Sequence, residues 1–157
     1  MGEATRKEES PGIAHRVTIA VLDANVYVSA IINSAGPPAD VLEQFLKYSA
    51  FELVLSEEIA EEVVRALHYP KLRKYLPIGF HPERWVAEIA LLSTVVSGAY
   101  RVEGICSDPD DDKYIAAAVE AGASWLVSGD SDLLAIKRHE EVEIVSPRSF
   151  LTILKRQ

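Results

Sequence analysis

The apolar run "VTIAVL" at residues 17–22, followed at once by Asp23, most constrains the fold of this chain. Its apolar residues are nearly continuous, whereas a strand with one solvated face alternates apolar and polar residues. A continuous run predicts a strand buried on both faces, which is typical of parallel sheets covered by helices on each side. Further strands are predicted at "FELVLS", "AYRV", "SWLVSGD" and "VEIVS".

Helical patterns lie between these predicted strands. "SEEIAEEVVRALHYP" predicts a helix with Ser56 as its N-cap and Pro70 marking its end. Residues 71–83 contain prolines and a glycine and predict a connection with a short helical turn. Strands that alternate with helices predict an α/β fold, a three-layer α/β/α sandwich around a central, mainly parallel sheet. The other predicted helices are "GPPADVLEQFLKYS" with an apolar stripe that includes Leu46, "PERWVAEIALLSTVVS", Pro109–Gly122 and "PRSFLTILKRQ".

Length and composition favour a single domain. Residues 1–15 are polar, mixed in charge and aperiodic, which predicts a disordered tail ahead of one domain at residues 16–157. No apolar run approaches the roughly 20 residues that span a bilayer, and the N-terminus does not resemble a signal peptide. Cys106, the single cysteine, has no internal disulfide partner and is interpreted as a free structural thiol. We therefore expect a cytoplasmic protein without membrane contact.

The net charge of −8 argues against a surface that coats nucleic acid broadly. A simple DNA-binding module is therefore disfavoured. An enzyme that holds cations among clustered carboxylates, and meets a phosphate backbone only locally, remains compatible with this charge.

Two aspartates directly follow predicted strands. Asp23 ends the first strand and Asp130 ends "SWLVSGD". Because ligands of open parallel sheets bind beyond the carboxyl ends of the strands, both side chains are expected at the same edge. Each could instead be an ordinary turn or N-cap residue. Two such aspartates, each closing a buried strand, favour a functional site.

Helical geometry selects two further acids. At 100° per residue, Glu62 lies at the edge of the buried face of its helix, whereas its acidic neighbours point away. Asp111 projects onto the buried stripe of the Ala-rich helix, while Asp108 is predicted as its N-cap and Asp110 as solvent-exposed. Asp112 is intermediate, and its participation stays open. The alternative for the acids of this helix is favourable interaction with the helix dipole.

Asp23, Glu62, Asp111 and Asp130 are thus candidates for one cluster. Carboxylates gathered together raise each other's pKa values unless a cation intervenes. Oxygen ligands of this kind suit Mg²⁺ or Mn²⁺ better than zinc. The four histidines have no paired ligand spacing, and one cysteine does not make a zinc knuckle.

The ordered motifs "LDANV", "EEV", "DPDDDKYIAAA" and "LVSGDSDLL" resemble those of PIN-domain ribonucleases, particularly the toxin-like, VapC-related group of bacteria and archaea. The resemblance covers roughly residues 17–150. In that family four acids hold one or two divalent metal ions and cut RNA, leaving 5′-phosphate and 3′-hydroxyl ends. The motif match places these acids at the same residues that geometry selected, Asp23, Glu62, Asp111 and Asp130.

The resemblance also implies supporting positions and partners. Asn25 and Ser128 match polar positions around the metal site, and Asp132 matches an acid often close to the metal. The alternative for Asp132 is an N-cap of the helix that begins "LLAIK". Members of this group are often homodimers and often pair with an antitoxin protein.

The sequence therefore predicts a metal-dependent endoribonuclease, the toxin component of a toxin–antitoxin pair. Lys71, Arg73 and Lys74 are candidates for RNA backbone contacts, with an ordinary solvated loop as the alternative. The competing functions are a non-catalytic RNA- or metal-binding PIN-like protein and a small-molecule phosphatase. The phosphatase ranks lower because "DAN" lacks the second aspartate of the usual aspartyl-phosphate signature, and the chain has no Gly-rich P-loop.

Overall fold

The structure, a computed structural model, describes residues 17–157. In these residues six strands form one sheet. The order across the sheet is β3–β2–β1–β4–β6–β5. All neighbouring strands are parallel except β5 and β6, which are antiparallel. The mainly parallel sheet is thus confirmed, while the predicted tail at residues 1–15 lies outside the described residues. The strands are β1 (Ile19–Leu22), β2 (Glu52–Ser56), β3 (Thr94–Val96), β4 (Trp125–Val127), β5 (Arg138–His139) and β6 (Val142–Val145).

Helices cover the sheet on both sides, which confirms the three-layer sandwich. The helix α5 packs across β1, β2, β3, β4 and β6, while α1 packs against α2 and α3, and α2 against α7. None of the helices in residues 17–157 is long and apolar enough to cross a membrane. The α-helices are α1 (Ala24–Ile32), α2 (Pro37–Leu46), α3 (Glu57–Leu67), α4 (Pro82–Leu92), α5 (Asp112–Ala121), α6 (Ser131–Ile136) and α7 (Pro147–Lys155), with short 3₁₀ helices at Pro70–Tyr75 and Pro109–Asp111.

The strand β1 lies at the point where the chain reverses its direction across the sheet. From β1 the chain builds β2 and then β3 on one side, and it then crosses to β4 on the other side of β1. The end of β1 is joined to the end of β4 by a 3.0 Å hydrogen bond from the Asp23 N–H to the Val127 carbonyl. Crevices at such switch points are where open α/β sheets bind ligands.

The predicted strand "AYRV" is wrong, and the third strand is instead the segment Thr94–Val96. The backbone N–H groups of Ser97 and Tyr100 donate to the Glu120 carboxylate of α5 at 3.0 and 3.4 Å, so they are not available to a sheet ladder. Gly98 between them has a φ of +79°, which turns the chain out of the extended conformation. Residues 99–102 are therefore part of a loop that α5 holds.

Three details of the helices also differ from the sequence prediction. The helix predicted at "PERWVAEIALLSTVVS" ends at Leu92, and β3 follows it. The helix α1 follows β1 directly and was not among the predicted helices. Leu46, expected on the buried stripe of α2, is 44% exposed. It is the last residue of its helix, where the chain turns away and the stripe no longer faces the core.

Candidate active site at the carboxyl edge of the sheet

Asp23 and Asp130 meet through Ser128 at the carboxyl edge of the sheet. The Ser128 hydroxyl donates to Asp23 Oδ2 at 2.7 Å and accepts from the Asp130 backbone N–H at 3.0 Å. Both aspartates also cap helices: Asp23 accepts from the Asn25 N–H at 3.0 Å, and Asp130 accepts from the Asp132 N–H at 3.1 Å. The capping role and the convergence on one edge therefore coexist.

Asp23 is a buried carboxyl group, 4% exposed. Burial raises its pKa, and the nearby charges of Glu62 and Asp130 raise it further, although the hydrogen bonds from Ser128 and the Asn25 backbone oppose this rise. Desolvation penalises the ionised carboxylate because the protein interior solvates charge poorly. The site thus contains an acid that gains from a cation placed nearby.

Glu62 reaches this edge from α3 and is held by two side chains of α5. Its Oε1 accepts from the Tyr114 hydroxyl at 2.6 Å and lies 2.7 Å from the Lys113 ammonium. The Tyr114 oxygen also accepts from the Ala24 N–H at 3.2 Å, at the first residue of α1. Tyr114 thereby links the helix start that Asp23 caps to the carboxylate of Glu62.

Lys113 is almost fully covered, with 9% of its side chain exposed. Burial lowers its pKa, but the hydrogen bond and the charge of Glu62 outweigh burial, so the pKa lies above the usual lysine value. A covered ammonium of this kind stays protonated because its partner carboxylate is close.

Asp111 is half-buried at the start of α5. Burial raises its pKa to about 6, with further contributions from the carboxylates of Asp108, Asp23 and Asp130. Asp108 is a neighbour in the chain, whereas Asp23 and Asp130 follow β1 and β4, so Asp111 shares an electrostatic environment with these two acids. A carboxyl group with a pKa this close to neutrality is a common feature of catalytic sites.

Asp112 is more buried than Asp111, but it serves a loop. Its two carboxylate oxygens accept from the backbone N–H groups of Gly104 at 3.1 Å and Cys106 at 2.8 Å. The sequence reasoning placed Asp112 at an intermediate angle because it assumed an α-helix from Pro109. The segment Pro109–Asp111 is a 3₁₀ helix, which turns 120° per residue and shifts the phase of the residues around it. Cys106 beside it is a free, buried thiol, as predicted.

The structure also places the other residues that the sequence analysis singled out. Asp108 caps the 3₁₀ helix and Asp110 is exposed, as expected. Asn25 donates its backbone N–H to Asp23, while the residue itself is exposed. The alternative role of Asp132 as an N-cap is wrong: α6 begins at Ser131, two residues before the Leu133 start that this role requires, Asp130 caps it, and Asp132 is exposed. The three basic candidates for RNA contact are exposed on or beside the short helix that follows α3, namely Lys71, Arg73 and Lys74.

Sequence reasoning missed Lys113 and Tyr114. A signal was present, because Tyr114 comes three residues after Asp111, and a polar tyrosine on an inward helical stripe needs a hydrogen-bonding partner. For Lys113 the motif "DDDKY" offered only a basic residue among acids, and the sequence did not show which acid it would pair with.

The donor chemistry of this site fits a hard divalent cation, since the four acids supply carboxylate oxygens, the ligands that Mg²⁺ and Mn²⁺ prefer. Their positions do not form a complete coordination shell. Within residues 17–157, no group of three or more His, Cys, Asp and Glu side chains is close enough together to hold a metal ion. Burial is the main cause of the raised pKa values of Asp23 and Asp111, and the charges of neighbouring carboxylates add to it.

A family model described as "PIN domain" matches residues 19–132, which span the acids from Asp23 to Asp130. The chain belongs to the PIN-domain family. PIN domains are generally nucleases, so membership favours a nuclease.

Comparison with individual proteins gives one sequence relative and two solved structures that share the fold. The chain is 27% identical over 139 residues to the uncharacterized protein MJ1680 of Methanocaldococcus jannaschii, covering 83% of this chain and 88% of that protein. It also shares its fold with VapBC2 from Rickettsia felis, solved bound to a DNA fragment from their promoter (TM-score 0.53, 14% identity, 82% of this chain and 98% of the other). PAE2754 from Pyrobaculum aerophilum is a second structural neighbour (TM-score 0.52, 16% identity, 90% and 97%).

Proposed function

We propose that this PIN domain is a metal-dependent endoribonuclease whose site consists of Asp23, Glu62, Asp111 and Asp130. The observation that carries the proposal is the junction of Asp23 and Asp130 through the Ser128 hydroxyl, at the switch point of the sheet. Glu62 and Asp111 act electrostatically on this junction. One or two Mg²⁺ or Mn²⁺ ions held by these acids, with Asp132 as a further candidate ligand, would neutralise the scissile phosphate and lower the pKa of a bound water.

The residues of the chain have distinct tasks in this proposal. Ser128 fixes the orientation of Asp23, and Tyr114 fixes that of Glu62. Asp111 orients the attacking water through its carboxylate. The products are expected to carry 5′-phosphate and 3′-hydroxyl ends.

RNA is proposed to reach the site through a local basic segment, because the chain as a whole is acidic. Lys71, Arg73 and Lys74 are exposed and close in sequence, as a segment that meets a phosphate backbone must be. Exposed tyrosines flank them: Tyr69 is 55% and Tyr75 is 54% exposed, and both are able to stack on unpaired bases.

The decisive experiment is incubation of the protein with single-stranded RNA and Mn²⁺. Cleavage is expected for the wild type and is expected to be lost in Asp23→Asn and Asp111→Asn. Asp40→Asn is the matched control, since it removes one carboxylate charge from an exposed residue of α2. Equal cleavage by all variants would mean a contaminating nuclease and would overturn the proposal.

The same assay separates the competing functions. RNA binding without cleavage would indicate a non-catalytic binding protein, and turnover of p-nitrophenyl phosphate alone would indicate a phosphatase. Either result contradicts the nuclease.

The toxin role, the antitoxin partner, homodimer formation and a cytoplasmic location are part of the proposal. They rest on the resemblance to toxin-like PIN domains and on the shared fold with VapBC2 of Rickettsia felis. If the chain is a toxin, its expression slows bacterial growth, and expression of Asp23→Asn does not. Sedimentation velocity of the purified chain tests the dimer.

A further inference from the structure

One of the four acids already has a cation against it. The Lys113 ammonium lies 2.7 Å from Glu62 Oε1, and the Lys113 side chain is only 9% exposed. A covered contact of this length is a charge-assisted hydrogen bond and is screened less by solvent than an exposed ion pair.

Lys113 also has partners of its own beside Glu62. Its ammonium donates to the Asp110 carbonyl at 2.8 Å and lies 3.6 Å from the Asp110 carboxylate. The ammonium lies 5.0 Å from the centroid of the neighbouring Tyr114 ring. Lys113 would therefore keep polar partners if it left Glu62, and the exposed Asp110 carboxylate is free to approach it further.

The contact of Lys113 with Glu62 occupies one oxygen of a candidate metal ligand. Glu62 Oε1 is engaged by both Lys113 and Tyr114. A divalent cation on the same oxygen would be repelled by an ammonium 2.7 Å from it, because the interaction of two like charges is strong at such distances and weakly screened at a covered site. Metal and lysine thus compete for Glu62.

We propose that Lys113 is an internal counter-cation, which occupies Glu62 in the metal-free protein and is displaced toward Asp110 when a divalent cation binds. Lys113 is therefore a positioning residue that weakens metal binding. This inference rests on the proposed function in one respect, the assignment of Glu62 as a metal ligand. It goes beyond that function because it names the group that sets how much metal the site requires.

Titration calorimetry with Mn²⁺ in the absence of RNA tests the proposal. Lys113→Met leaves Glu62 without its cation, so its Mn²⁺ affinity is expected to be about tenfold higher than that of the wild type, a difference of about 1.4 kcal/mol. Lys113→Gln is expected to change the affinity in the same direction, and it keeps a hydrogen-bond donor if the methionine variant does not fold. Lys113→Arg keeps the charge and is expected to bind Mn²⁺ as the wild type does.

A matched control accounts for the change in net charge. Lys47→Met removes an equal charge from an exposed lysine that also pairs with a glutamate, Glu43, at 3.3 Å. Its Mn²⁺ affinity is expected to equal that of the wild type. If Lys47→Met raises the affinity as much as Lys113→Met, net charge is responsible and the proposal is overturned.

The outcomes separate this inference from the proposed function. If the wild type binds Mn²⁺ and Lys113→Met binds it equally or more weakly, Lys113 is not a competitor, while the metal-dependent function stands. If neither protein binds Mn²⁺, the metal site itself is contradicted, and the inference with it. Binding by Lys113→Met alone supports the inference in its strongest form.

Discussion

The hydroxyl of Ser128 donates a 2.7 Å hydrogen bond to the carboxylate of Asp23. The two residues follow neighbouring parallel strands and are 105 positions apart in the chain. Ser128 is fully buried and also accepts from the backbone of Asp130. One hydroxyl group thus joins the carboxylate of Asp23 to the backbone of Asp130 at the switch point of the sheet.

Replacement of this hydroxyl should destabilise the protein. In Ser128→Ala, Asp23 loses the strongest interaction that favours its ionised form, and the Asp130 N–H loses its acceptor. Because both groups are left buried or half-buried, the free energy of unfolding should fall by about 1–3 kcal/mol in urea titrations at pH 7.5. Ser131→Ala, at an exposed position of α6, should change it by less than about 0.5 kcal/mol. Equal effects of the two variants would contradict the role given to Ser128.

Asp111 should make stability depend on pH. Its pKa of about 6 lies above the ordinary 3.8, so the native state binds this proton more tightly than the unfolded state. The stability that Asp111 contributes is therefore complete below its ordinary pKa of 3.8 and is lost as the pH rises through about 6. Solvent screening of a half-buried group limits the effect to about 1 kcal/mol.

The variant Asp111→Asn should remove this dependence. In EDTA at pH 7.5 it should melt about 2–4 °C above the wild type, and near pH 4 the difference should disappear. Thermal melts at several pH values measure both quantities. A variant that is less stable than the wild type at pH 7.5 would contradict the raised pKa.

Tyr114→Phe should affect both stability and the site. The change removes the hydroxyl that donates to Glu62 and accepts from the Ala24 N–H. The hydrogen bond with Ala24 is buried, and the one with Glu62 is partly buried. Leaving the Ala24 N–H without its acceptor should cost about 1–3 kcal/mol in the free energy of unfolding. RNA cleavage per folded molecule should also fall, because Glu62 is less well oriented. Tyr100→Phe, at a 40% exposed residue, is the control and should leave stability unchanged.

Asp112→Ala should release the loop that contains Cys106. Burial raises the pKa of the Cys106 thiol to about 12, and the hydrogen bond with Asp112 adds to this shift. Since the thiolate is the reactive form, Cys106 should react slowly with Ellman's reagent in the wild type and many times faster in Asp112→Ala. Asp110→Ala, which removes an exposed acid two positions earlier, should react as the wild type does. Slow labelling of Asp112→Ala would mean that other contacts hold the loop.

Local patterns predicted most of the architecture. The continuous apolar run before Asp23 indicated a strand buried on both faces, and β1 is such a strand, with Ala20, Val21 and Leu22 fully buried. The helix start at Ser56 and its end before Pro70 were predicted correctly because caps and prolines act within a few residues. The strand expected at residues 99–102 was wrong because the competing acceptor, Glu120, lies about twenty residues later in the chain.

For the candidate site, the sequence by itself determined which acids follow strands and which lie on inward helical faces, because both depend on short-range periodicity. Only the tertiary structure decided what each acid contacts. It directed Asp112 to a loop through the phase of a 3₁₀ turn, joined Asp23 to Asp130 through Ser128, and placed Lys113 on Glu62, 51 positions away in the sequence. These contacts depend on how β1, β4, α3 and α5 pack together, since a side chain selects its partner by distance in space.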